Sequence, residues 1–176
     1  MVSVRIGFPG ISVGLENISL PAWRKKRTDP AGPFLIISRD CGLALDTAWR
    51  NQPGESPHLW SPHAERQQLW FLRPSGVRGE VLIVSADNGL ALDSTLDSQK
   101  PDLLMWEPHA EAHQRWRLKK SSDGAAFEVE GVHSRRLLTA ADDFKPTYKP
   151  WFDDRRFTRA QQWLFALPHG GAPAAE

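Results

Sequence analysis

Gly42-Leu43-Ala44-Leu45-Asp46 returns unchanged as Gly89-Leu90-Ala91-Leu92-Asp93, 47 residues further along the chain. Trp60-Ser61-Pro62-His63-Ala64-Glu65 returns as Trp106-Glu107-Pro108-His109-Ala110-Glu111, 46 residues on, so one residue is lost in the loop between the two strings. A third string extends the pattern: Gln68-Leu69-Trp70 is matched by Gln114-Arg115-Trp116 and again by Gln161-Gln162-Trp163. A fixed period of this length means that one supersecondary unit is repeated, each copy burying its apolar face against its neighbours. The third copy is degenerate. Read by offset, Arg136-Leu137-Leu138-Thr139-Ala140 stands in for the Gly-Leu-Ala-Leu-Asp strand, placing Ala140 at the aspartate position, and Trp151 takes the place of Trp60 and Trp106.

Within each copy, short β-like runs alternate with turn residues, and no stretch carries a helical apolar period. The first copy offers runs at 34–38, 43–47, 58–61 and 68–72, separated by Arg39-Asp40-Cys41-Gly42, Asn51-Gln52-Pro53-Gly54 and Pro74-Ser75-Gly76. The second offers 81–85, 90–94, 104–107 and 114–118. Four strands in each of three copies make twelve, and a chain of this size hides so many strand edges by closing on itself.

Three copies of four strands, each ending in Gln-x-Trp, resemble the ricin B-type lectin family, which includes family 13 carbohydrate-binding modules. The resemblance implies an all-β β-trefoil with pseudo-threefold symmetry over residues 34–168, in repeats of about 34–80, 81–126 and 127–168. It places Trp70, Trp116 and Trp163 in a shared core. Residues 1–33 form an N-terminal extension and 169–176 a tail. Val2-Ser3-Val4-Arg5-Ile6 alternates like a strand, so the extension is expected to be ordered there, packing on the trefoil or meeting a protein partner.

Composition bounds the function. A formal charge of +1 gives no global attraction to nucleic acid, and the compact run Arg24-Lys25-Lys26-Arg27 is local. No apolar run reaches the roughly 20 residues of a membrane helix. Cys41, the single cysteine, cannot form an internal disulfide, and residues 1–22 make a poor signal peptide. The expectation is therefore a cytoplasmic protein, with secretion as the alternative. No paired-carboxylate, phosphate-loop or nucleophile motif is present, so neither enzyme activity nor a cofactor is expected.

If Leu43 and Leu45 face the core, alternation turns Ala44 and Asp46 the other way, and the same holds for Asp93. Asp46 and Asp93 are expected at the surface, each beside the tryptophan strand that follows in a hairpin. A pyranose presents a C–H face that packs on an aromatic ring and hydroxyls that donate to a charged acceptor. The family resemblance implies a first carbohydrate site of Asp46, His58, Trp60 and Gln67 and a second of Asp93, Trp106 and His113, binding galactose-type or other glycans. The third copy is expected to have lost its site. His63 and His109 sit in different copies, which argues against a metal and for structural hydrogen bonds. The rival function is a protein-interaction trefoil inside the cell, its sugar sites decayed.

Overall fold

The computed structural model describes residues 5–8, 11–14, 30–48, 52–97, 102–140 and 148–168, the first two segments as backbone only. Fourteen strands follow in chain order among these residues. The extension contributes β1 (Arg5–Phe8) and β2 (Ile11–Gly14), an antiparallel pair that forms its own small sheet. The first lobe comprises β3 (Ala31–Ser38), β4 (Ala44–Asp46), β5 (His58–Trp60) and β6 (Leu69–Pro74). The second comprises β7 (Val81–Ser85), β8 (Ala91–Asp93), β9 (Leu104–Trp106) and β10 (Trp116–Lys120). The third comprises β11 (Phe127–Gly131), β12 (Leu137–Thr139), β13 (Trp151–Asp153) and β14 (Trp163–Ala166). The expected strand at residues 2–6 is met in part by β1, while Val2, Ser3, Val4 and the basic run at 24–27 lie outside the described residues.

β3 to β14 form one twelve-stranded sheet. The ring closes because β14 pairs with β3 along Trp163↔Ser38 to Ala166↔Leu35, leaving no open edge between last and first lobes. The first strand of each lobe is buried on both faces, since alternate residues feed different clusters. Phe34 and Ile36 enter the central core, while Leu35 and Ile37 enter a satellite one. In β7, Val81 and Ile83 go to the centre, and Leu82 and Val84 to a third cluster. In β11 the outward positions are Glu128 and Glu130, paired with Arg155, Arg117 and Lys119 in place of an apolar satellite.

Trp70, Trp116 and Trp163 are fully buried at equivalent places, as expected. Each indole Nε1–H donates to a backbone carbonyl of its own lobe: Leu45 at 3.0 Å, Leu92 at 3.3 Å and Leu138 at 2.9 Å. This satisfies the one polar atom of a side chain otherwise held by packing. It also fixes the lobe register, because Leu138 is thereby the counterpart of Leu45 and Leu92.

That register corrects the reading of the third copy. The residue after Leu138 is Thr139, so Thr139, not Ala140, stands where Asp46 and Asp93 stand. In the outer hairpins Ala44 pairs with Trp60, Ala91 with Trp106, and Leu137 with Asp153. Trp151 therefore takes the place of His58 and Leu104, two residues before the tryptophan position, which Asp153 fills. Matching tryptophan to tryptophan failed here, because the loop before β13 has the same length as the loop before β5 and the third lobe carries its exposed tryptophan two residues earlier on the strand.

Candidate functional site

Every lobe builds its outer hairpin around a glutamine with no exposed surface, Gln68, Gln114 or Gln161. Gln68 Nε2 donates to Asp46 Oδ2 (2.9 Å) and to the Ser61 carbonyl (3.0 Å), and Gln68 Oε1 accepts from the His63 N–H (2.8 Å). Gln114 repeats this with Asp93 Oδ2 (3.0 Å), the Glu107 carbonyl (2.9 Å) and the His109 N–H (2.9 Å). Gln161 does so with Thr139 Oγ1 (3.3 Å), the Asp154 carbonyl (2.7 Å) and the Arg156 N–H (2.7 Å). The Gln of Gln-x-Trp is thus the clamp that ties three segments of a lobe together. A buried amide with all its strong partners satisfied specifies geometry as well as stability.

Asp46 and Asp93 do face away from the central core, but they are 3% and 5% exposed, not at the surface as expected. Strand alternation sets the facing of these side chains but not what covers them. Asp46 Oδ1 accepts the Ala48 N–H (2.7 Å), Oδ2 accepts Gln68, and His63 Nε2 lies 3.3 Å from Oδ2. Asp93 Oδ1 likewise accepts the Thr95 N–H (2.8 Å). A carboxylate has about four acceptor directions, so the protein uses about three at Asp46 and two at Asp93.

In the first lobe a shallow cavity of about 120 Å3 is lined by Asp46, Ala48, His58, Trp60 and His63. Trp60 is 38% exposed, and the His58 ring meets it edge-on at 5.8 Å between centroids. Burial holds the His58 imidazole below its ordinary pKa, with the Asp46 charge acting in the opposite sense. Of the four residues expected in this site, Asp46, His58 and Trp60 come together. Gln67 is buried, with its amide turned to Glu65 Oε2 (3.2 Å), and does not line the cavity.

In the second lobe Asp93 and His113 are neighbours, His113 Nε2 lying 3.6 Å from Asp93 Oδ2. Trp106 is 44% exposed at its end of the hairpin. The first lobe's long loop reaches across to it. Gly54 N–H donates to the Met105 carbonyl, and a Cβ built at Gly54 (φ +91°) would stand 3.3 Å from Trp106 Cζ3. Leu104 replaces His58. The third lobe has a different chemistry: Arg156, the counterpart of His63 and His109, grips Asp153 through Nε (2.8 Å) and Nη2 (3.2 Å).

Two functional features escaped sequence reasoning. His63 and His109 do lie in different lobes and make the structural contacts expected, each Nδ1 accepting the N–H two residues on. His109, however, also lies beside His113 of its own lobe, at 4.8 Å between ring centroids. A position-by-position comparison of the copies carries the signal, since His113 aligns with Gln67. The Asp153–Arg156 pair was hidden by the misplaced register of β13.

Among the described residues no helix is long and apolar enough to cross a membrane. Residues 66–147 match the family model of the ricin-type beta-trefoil lectin domain-like family. No curated protein matches the sequence. Among solved structures the chain is similar to the designed threefold-symmetric protein ThreeFoil, at 20% identity and a TM-score of 0.71 over 77% of this chain and 99% of that one. It is similar to the Macrolepiota procera ricin B-like lectin, solved with lactose, at 15% identity and a TM-score of 0.67 over 82% and 99%. It is also similar to part of an exo-beta-1,3-galactanase from Clostridium thermocellum, at 18% identity and a TM-score of 0.66 over 77% of this chain and 30% of that one. With three Gln-x-Trp indoles in one core and a closed ring of twelve strands, the chain folds as a β-trefoil that resembles the ricin B-type lectins.

Proposed function

We propose that this chain is a non-catalytic carbohydrate-binding module whose principal site is the first-lobe cavity. The observation that carries this reading is the placement of the half-exposed Trp60 indole at the rim of a cavity floored by the Asp46 carboxylate. The indole offers a stacking face for the C–H side of a sugar ring. The remaining acceptor direction of Asp46, together with His58 and His63, offers hydroxyl partners. Asp93, Trp106 and His113 form a weaker second site, since Leu104 supplies no polar group where His58 does. Gln67 is left out of the site on its observed contacts. The match to the ricin-type beta-trefoil lectin domain-like model and the lactose-bound fungal neighbour support the same reading.

One observation favours the rival reading of an interaction trefoil with decayed sugar sites. Asp46 and Asp93 spend about half of their acceptor capacity or more on their own lobes. A glycan array followed by titration of any hit separates the two. Sugar binding that falls by about tenfold or more in Trp60→Ala, from loss of a stacking contact of roughly 1.5 kcal/mol, supports the lectin reading. Silence across a broad array, or an undiminished Trp60→Ala, supports the rival. Asp46→Ala is a poor probe, because it would strand the Gln68 amide and the Ala48 N–H.

A further inference from the structure

We infer that the second lobe carries a binding site for a zinc-like divalent cation, formed by Asp93, His109 and His113. One donor atom from each converges, the three lying within 4.8 Å of one another. His109 Nε2 is 3.7 Å and His113 Nε2 is 3.6 Å from the same carboxylate oxygen, Asp93 Oδ2. Tetrahedral zinc with bonds near 2 Å needs ligand atoms about 3.3 Å apart, so each histidine closes on Asp93 by a few tenths of an ångström, while the widest separation in the set, up to 4.8 Å, closes by a side-chain rotation. Two imidazoles and one carboxylate are a donor set suited to zinc and leave a fourth position open to water.

The surroundings hold these groups in place. Asp93 is fixed by the Thr95 N–H and the Gln114 amide, the kind of outer support that orients a metal ligand. His113 lies within the 3-10 turn Ala112–Gln114 and His109 three residues before it, a short span that keeps them on one side of the hairpin. The His133 ring, tied to the Leu96 carbonyl at 2.9 Å, meets His113 edge-on at 6.4 Å and bounds that flank. Coordination through Nε2 moves the His109 proton to Nδ1 and gives up the contact from the Glu111 N–H. At 3.3 Å that contact is already longer than an ordinary hydrogen bond.

The other two lobes show why this one is different. The first has the same backbone with Asp46 and His63 in place, but Gln67 stands where His113 does. Both residues hold the equivalent carbonyl contact, Gln67 to the Thr47 N–H and His113 to the Ser94 N–H. The third has Thr139, Arg156 and Ala160 at the three positions, a set that repels a cation. The chain thus carries one complete triad, one triad short by a single residue, and one cationic substitute. A cation on Asp93 would compete with a sugar hydroxyl for the same oxygen. The inference stands apart from the lectin reading, since it needs no glycan.

The test is calorimetric titration of the full chain, treated with EDTA and dialysed, with zinc chloride. One equivalent is expected to bind saturably. His113→Gln copies the residue the first lobe already tolerates, so it should fold, and it should weaken zinc binding by at least about 100-fold, as ligand loss exceeds the loss of an outer-shell contact. Gln67→His completes the first-lobe triad and should raise the stoichiometry from one to two, with circular dichroism confirming the fold of each variant. Absence of saturable binding, or equal binding by His113→Gln and the parent, overturns the inference. So does a stoichiometry that stays at one in folded Gln67→His.

Discussion

His58 occupies the position of the first-lobe hairpin where the second lobe has Leu104, and that difference makes it a titrating group in a cavity wall. Desolvation outweighs the attraction of Asp46 and lowers its pKa on folding. As pH falls, the unfolded chain takes up this proton before the folded one does. The associated stability is therefore present above the unfolded value of about 6.5 and is lost as pH drops through the folded value. The melting temperature of the parent is expected to fall more steeply between about pH 7 and pH 5 than that of His58→Leu, the residue that Leu104 shows the hairpin accepts. Calorimetry across that range with parallel slopes would show that His58 is not held neutral. The facing of Asp46 was legible in the sequence because strand alternation is local. Its burial was not, since the covering atoms come from Gln68, 22 residues away, and from a loop whose path alternation does not specify.

At the scale of the element, the outer hairpins show how a lobe can keep its scaffold and change its chemistry. All three retain the glutamine clamp and a buried middle residue on the second strand, Leu59, Met105 or Phe152. Around these fixed points the exposed positions differ. Trp151 lies two residues earlier than Trp60 and Trp106, and the Asp153–Arg156 pair fills the space where an indole and a histidine stand elsewhere. The strands themselves were readable, because apolar alternation and turn residues bound each run. The register of β13 was not, because the degenerate copy has no Gly-Leu-Ala-Leu-Asp string to anchor it and its tryptophan stands at another position of the strand. If the binding face belongs to the first two lobes, Trp151→Ala should leave sugar affinity within about twofold of the parent while Trp60→Ala lowers it. Titration of both variants with one glycan decides the matter. An equal loss in Trp151→Ala would place a sugar on the third lobe.

At the scale of the molecule, the three lobes are not separable units. Trp70, Trp116 and Trp163 belong to one central cluster, and each lobe's first strand supplies side chains to it. The long connections add to this coupling: the Glu55 carbonyl accepts from Met105 in the second lobe, and the Tyr148 carbonyl of the third accepts from Leu59 in the first. The β14–β3 pairing closes the ring, so opening any lobe exposes the interior faces of its two neighbours. Removing one core indole should therefore weaken the whole fold instead of melting one third of it. Trp70→Ala, Trp116→Ala and Trp163→Ala are each expected to cost about 3–5 kcal/mol. For a chain of this size that corresponds to a fall in melting temperature of roughly 10 °C or more, still as a single transition. Scanning calorimetry reads both quantities. One peak with equal calorimetric and van't Hoff enthalpies means that the repeats share a single core. Two resolved peaks, with the mutated lobe melting first, would mean that each repeat folds on its own, which an exposed interior face on every isolated lobe makes physically untenable.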